Sequence, residues 1–327
     1  MPYDLVALGL NAVDVLVRLP DQIKKDDKQM VDHLVIQGGA PTGSGACGVG
    51  RLGYDVAFVA RIGDNTLSAI SEEEFRKNGV RVELFVRDQE SRPALALVEI
   101  DPVTAARTVF IQMDNYGYLR AEDIPVDAIR SAKALLVDSY DLDATEAALR
   151  AAAGTGCRTI LDFESGDPVR MRALLALGSD PILPLVAARQ LVGDAISDDT
   201  PGEIVRALTA LTPGQVVVTD GLNGSWAWER ERASVRHQPA FRVPSVDTTG
   251  CGDAFHAGYI VGVLEDWPLH LRLEFGALLA SRVATRIGGR TALPRRREIL
   301  DLLRPDVSDE LRLNIQKIHE TLLSHSR

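Results

Sequence analysis

Cysteine is scarce in this chain: Cys47, Cys157 and Cys251 are the three among 327 residues, an odd number without a Cys-x-x-Cys pair. That scarcity excludes a disulfide framework and a zinc ribbon, and it points to a reducing compartment, the cytoplasm. Histidine is nearly as sparse, and His33, His237, His256, His270, His319 and His325 show no metal-ligand spacing. Positive charge is also in deficit, with 36 Lys and Arg against 46 Asp and Glu for a net charge of −10. Such a chain repels nucleic acid and anionic lipid, so neither is expected as a partner. The one dense basic run, Arg295-Arg296-Arg297, reads as the solvated start of a helix. No apolar run approaches the roughly 18 residues that cross a bilayer. The opening MPYDLVALGLNAVDV lacks the basic n-region of a signal peptide.

What is present is an ordinary globular composition, 46% apolar and 25% charged. A chain of this length buries roughly three quarters of its unfolded surface, enough for a large core without staples. Short apolar runs alternate with longer amphipathic ones, the βαβα rhythm of a parallel sheet flanked by helices. Strands are expected at 4–10, 55–62, 134–140, 157–163, 181–186 and 215–221, and helices at 144–153, 168–177 and 201–211. Two stretches break the rhythm, 13–36 and 92–112, each reading as two strands about a polar turn. They predict one small sheet inserted twice into the body, covering the site or meeting a second subunit. After Pro305, Leu311, Ile315, Ile318 and Leu322 recur at helical spacing and predict a terminal amphipathic helix.

Two glycine-rich stretches compete for the role of phosphate cradle. GSGACG (43–48) matches G-x-G-x-x-G, but it does not close the first strand of a βαβ unit as a dinucleotide loop must. A dinucleotide oxidoreductase is therefore disfavoured, and the stretch reads as a glycine-rich turn entering a helix. The second run, VPSVDTTGCGDAFHAGYIVGVL (243–264), places Gly250 and Gly252 ahead of a long apolar helix. Unpaired N–H groups at such a helix start form a site for a phosphate or oxyanion, and glycine lets the backbone approach closely. Asp253 stands in that turn as a carboxylate beside the anion site, although an Asp there is also an ordinary cap.

The run VDTTGCGDAFHAG resembles the C-terminal signature of the ribokinase family, the PfkB-type carbohydrate kinases, usually DTxGAGDxFxxG. Asp247, Thr248, Thr249, Gly250, Gly252, Asp253, Phe255 and Gly258 match it, with Cys251 for the usual Ala. GLNAVD (9–14), Gly38-Gly39, RLG (51–53), ARIGDN (60–65), VVTDGLNG (217–224) and TRIGGRTALPRRREI (285–299) fall in family order, so the likeness spans about 4–304. The resemblance implies a central, mostly parallel sheet flanked by helices, with a small β-sheet lid. Residues 1–12, 37–90 and 113–304 would form the kinase body, 13–36 and 91–112 the lid, and 305–327 a helical extension.

It also implies an ATP-dependent kinase acting on a sugar or related small polyol. Asp253 would be the general base, and the N–H groups of Gly250, Cys251 and Gly252 the anion hole. Asn11, Asp14, Gly38 and Gly39 would bind the acceptor, and Thr219, Gly221 and Gly224 the nucleotide. In many members carbonyls near Asp247 and Thr249, with the 286–292 loop, hold a potassium ion; magnesium accompanies the ATP. A homodimer through the lid is expected.

Two departures bear on these expectations. Gly43 stands where many members place the Asn of GGxxxN, so it marks the part of the acceptor site where specificity differs. The family's NxxE motif is missing near 184–190, where the chain reads PLVAARQ, leaving magnesium to water, the nucleotide, or Asp162 and Glu164. The competing readings are a nucleoside kinase and a catalytically weak sugar-binding relative. A retained Asp253 speaks against the latter, since a binder has no use for a base.

Overall fold

The computed structural model describes residues 2–193, 196 and 200–324. Within them the strands follow as β1 (Leu5–Leu8), β2 (Ala12–Arg18), β3 (Leu34–Gly39), β4 (Val56–Val59), β5 (Arg61–Ile62), β6 (Val80–Arg81), β7 (Val86–Arg87), β8 (Ala94–Ile100), β9 (Arg107–Gln112), β10 (Ala134–Asp138), β11 (Arg158–Asp162), β12 (Asp180–Pro184), β13 (Val217–Thr219), β14 (Ser225–Glu229) and β15 (Ser234–Gln238). The helices are α1 (Pro41–Arg51), α2 (Thr66–Lys77), α3 (Val126–Ser131), α4 (Leu142–Ala152), α5 (Pro168–Leu175), α6 (Leu185–Val192), α7 (Pro201–Leu208), α8 (Cys251–Leu264), α9 (Leu269–Val283) and α10 (Asp309–Ser324).

Continuous apolarity in the strands has the consequence it should: β1 is buried on both faces. Leu5 and Ala7 join a core with α1, α8 and α9, whereas Val6 and Leu8 join a second core with α4, α5, α6 and α7. The main sheet runs β15-β14-β13-β12-β11-β10-β1-β4-β6, parallel from β13 to β6, with β14 and β15 antiparallel at one edge. The chain leaves β1 for β4 and β6, then returns to β10 on the other side of β1. Strand order therefore reverses between β1 and β10, and a crevice opens at their carboxyl ends, where open α/β sheets bind ligands.

The two excursions meet in one four-stranded sheet, β3-β2-β8-β9. Each hairpin is antiparallel, and β2 pairs with β8 in parallel. β3 continues through Gly39, three residues into the stretch assigned to the body.

Several elements differ from their sequence expectation. The run 55–62 splits into β4 and β5, and β5 pairs separately with β7. The strand expected at 181–186 stops at Pro184, the N-cap of α6. GSGACG is not a turn at all but the interior of α1, buried throughout. A Cβ added to Gly48 would lie 2.5 Å from Cβ of Ala257 on α8, and one on Gly45 would lie 3.0 Å from Leu136. These glycines serve close helix packing rather than phosphate binding. At the far end, Leu311, Ile315 and Ile318 of α10 are buried in the α8–α9 core, while the side chain of Leu322 falls outside the described residues. No helix among the described residues is long and apolar enough to cross a membrane.

Candidate active site

The start of α8, the carboxyl ends of β1 and β11, and the inner face of the lid enclose one cavity. Asp14, Arg107, Tyr140, Glu164, Thr249 and Asp253 are among its lining residues. Alternation along β9 turns Arg107, Val109 and Ile111 toward it and the residues between them away.

Gly250 caps α8 in the left-handed region at φ 75°, and a Cβ there would meet Cα of Gly289 at 2.5 Å. Glycine is required on both counts. Gly252 differs, because a Cβ added there meets nothing within 4 Å. The space over the helix start is open at Gly252, so no side chain blocks an anion from the backbone there. The Cys251 N–H, expected to complete the hole, donates to the Thr248 carbonyl at 3.3 Å. Burial pushes the Cys251 thiol up to about 12, so it is inert as a nucleophile.

Burial raises the Asp253 carboxyl to about 8, aided by the nearby Glu164 charge and opposed by Arg107. Asp14 is raised by burial to about 6, with Arg290 and Arg107 holding it down. Its carboxylate lies where a Cβ at Gly39 would be, so Gly39 makes room for it. Asn11 does not join Asp14 in the cavity. Its Oδ1 accepts from Ser71 Oγ at 2.7 Å, and its buried Nδ2 has no partner. Three residues of nearly extended chain send the two side chains to opposite faces. Gly38 and Gly43 both back onto Arg290, Gly43 from inside α1.

Arg290 is a residue the sequence reading missed. It is buried, donates from Nη2 to the Gly39 carbonyl at 2.6 Å and from Nε to Ser44 Oγ at 3.2 Å, and its guanidinium stacks 5.2 Å from the Phe75 ring centre. A partner 251 residues away leaves no one-dimensional signal. Asp138 was missed likewise. Its Oδ2 accepts from Leu10 N–H and Thr42 Oγ1 at 2.8 and 2.9 Å, tying the end of β10 to the start of α1.

Asp247 spends its carboxylate on the N–H groups of Thr249 and Gly288, both at 2.8 Å. That staple joins the anion-hole turn to the 288–291 loop and leaves the buried Thr249 Oγ1 without a partner. Thr219, Gly221 and Gly224 lie at the carboxyl end of β13, where Gly221 and Gly224 take φ 48° and 93°. Beside them Leu222, Trp226, His237 and Pro239 line an open cleft, with the Trp226 and His237 rings stacked 4.4 Å apart.

A family model, the pfkB family carbohydrate kinases, matches residues 5–296. The chain belongs to this family. It is a carbohydrate kinase, and relatives of that kind match across most of its length. It is 26% identical over 320 residues to a 5-dehydro-2-deoxygluconokinase of Shouchella clausii, covering 92% of this chain and 95% of the relative. Identity to fructokinase-2 of Oryza sativa subsp. japonica is 29% over 279 residues, covering 79% and 82%. In fold the kinase is similar to ribokinase of Arabidopsis thaliana, solved with ribose and ATP, at TM-score 0.78 and 21% identity over 93% of this chain and 99% of the other.

For a magnesium ion the kinase offers little of its own. Among the described residues no group of three His, Cys, Asp or Glu side chains could hold a metal. Asp162 is buried, and its pKa is pushed well up by burial first and then by the Glu164 and Asp253 charges, which makes it a poor partner for a cation. The neighbouring His256 is held neutral, its pKa lowered by burial to about 4. Among the described residues lining the cavity, Glu164, which accepts from Tyr140 Oη at 3.2 Å, is the exposed carboxylate beside Asp253. This donor set fits an ion carried in on nucleotide phosphates, which needs one or two protein carboxylates.

Proposed function

We propose that this kinase transfers the γ-phosphoryl of ATP to a hydroxyl of a sugar or related polyol held between Asp14 and Asp253. The observation that carries this reading is a helix start left open at Gly252, with a carboxylate of raised pKa in its first turn and a second carboxylate facing the same cavity. Asp14 accepts hydrogen bonds from acceptor hydroxyls and fixes their orientation. Asp253 takes the proton of the reacting hydroxyl as its oxygen bonds to the γ-phosphorus and the bond to the β-phosphate oxygen breaks, releasing ADP. The Gly250 and Gly252 N–H groups, with Cys251 once it turns from Thr248, stabilise the charge on the phosphoryl oxygens.

Thr219, Gly221 and Gly224 hold the nucleotide, with its base toward Trp226 and His237. β13 is three strands from β10, roughly 14 Å at ordinary spacing, so one extended ATP reaches from that cleft to α8. Magnesium would supply charge neutralisation on the phosphates, with Glu164 as its protein ligand. Carbonyls of Asp247 and Thr249, held in place by the Asp247 staple, would take a potassium ion. The acceptor's identity draws support from the relatives' names, which include a dehydrodeoxygluconate and fructose. The kinase works in the cytoplasm, where its free thiols stay reduced, and pairs with a second copy through the lid.

The test is Asp253→Asn assayed against ketoses, aldoses, sugar acids and nucleosides. Loss of a general base is expected to lower kcat about 10²–10⁴-fold. Near wild-type turnover would sink the assignment, and a nucleoside substrate with no sugar substrate would reassign the acceptor class.

A further inference from the structure

The tip of the β8–β9 hairpin is clasped to the turn that leads into the anion hole. Thr248 donates from both its N–H and its Oγ1 to the Ala105 carbonyl, each at 3.3 Å. In return Arg107 Nη1 lies 3.4 Å from both the carbonyl oxygen and Oγ1 of Thr248. Ala105 holds this contact at φ 57°, a left-handed conformation that a residue with a Cβ rarely adopts. The lid thus reaches Thr248 by main chain and side chain together.

Among the described residues lining the cavity, Arg107 is the single cation, against the acids Asp14, Glu164 and Asp253. A phosphoryl group entering that pocket meets carboxylates unless something offsets them. Register shows which end of the cavity Arg107 serves. Asp14 and Ile111 sit in one cross-strand row with Ala96, whereas Arg107 sits opposite Ile100, four residues further along β8. That is roughly 13 Å from the acceptor row at ordinary strand rise, and on the side of Thr248 and the α8 start. The guanidinium draws down the pKa of both Asp253 and Asp14, and its direct contact is with Thr248, in the turn that leads to Asp253.

We infer that Arg107 is a further catalytic residue, brought by the lid onto the γ-phosphoryl group, where it neutralises charge as the group moves to the acceptor. This rests on the kinase reading above and adds a residue to it. The Ala105–Thr248 clasp sets its position, and the chemistry matches that of arginines supplied to phosphoryl groups elsewhere, which raise kcat by about 10³–10⁵.

Arg107→Met and Arg107→Lys test it in the full-length kinase by steady-state kinetics and by calorimetry with ADP and a non-hydrolysable ATP analogue. Arg107→Met should lose about 100-fold or more in kcat on every acceptor, neutral or acidic. Its affinity for the analogue should fall toward that for ADP, while ADP binding stays unchanged. Arg107→Lys should recover part of both losses. A loss confined to the KM of acidic acceptors would make Arg107 an acceptor reader and overturn the inference. So would equal weakening of ADP and analogue, which would mean a general lid defect. The calorimetric comparison stands even if the acceptor proves not to be a sugar, so the two failures are distinguishable.

Discussion

Asp253 carries its proton in the free enzyme at neutral pH, because burial and Glu164 lift it to about 8. A base must be deprotonated to accept the hydroxyl proton, so activity rises as pH rises through that value. We predict that kcat/KM climbs toward a plateau above about 8, with a slope approaching tenfold per unit below it. Asp14, near 6, adds a second loss further down. A profile flat between these values would show that Asp253 need not ionise, and one flat below about 6 would show the same for Asp14. The residue scale is also where the sequence was most partial. Gly250 and Asp253 stand in a glycine-flanked helix start that is a local signal, and the family resemblance added Asp14; the structure brings all three to one cavity. Arg290 and Arg107 left no such signal, because their partners Gly39 and Thr248 are remote in the chain.

Helices α1 and α8 decide whether that site is held in register. α1 packs on α8 through glycines, and Gly48 approaches Ala257 too closely for a side chain. Gly48→Val is expected to cost about 1–3 kcal/mol, read from the denaturant midpoint, as overpacked cores do. Because α8 carries Asp253, kcat should fall with it. An unchanged midpoint would mean that the helices move apart freely. GSGACG looked like a loop by its letters, yet as an element it is a helix with a flattened face. A pattern of glycines records that something comes close; it does not say whether the neighbour is a phosphate or another helix.

At the scale of the whole molecule, the lid's outer face is an apolar surface that nothing among the described residues covers. On the lid's outer face Leu34, Ile36, Leu97 and Phe110 are all exposed, at 56%, 56%, 42% and 54%. Register places Ile36 with Val15, Leu97 and Phe110 in one row, facing away from the cavity. Such a patch is what a partner subunit covers. We predict a dimer by light scattering at micromolar concentration, and a monomer for the Ile36→Glu, Phe110→Glu double variant. A wild-type monomer would sink the lid interface, and a dimeric variant would move it elsewhere.

Hydrophobic periodicity is a short-range property, and by itself it determined the alternation of strands and helices, the doubly buried sheet, the two inserted hairpins and the terminal helix. Glycine and acid spacing, also local, determined the open start of α8 and its carboxylate. The tertiary structure alone decided the reversal of strand order between β1 and β10, which puts Asp14, Glu164 and Asp253 around one crevice. It decided the turning of Asn11 away from that crevice and the clasp of Ala105 and Arg107 on Thr248. The clasp joins segments over a hundred residues apart, and its free energy depends on distances that no stretch of chain contains.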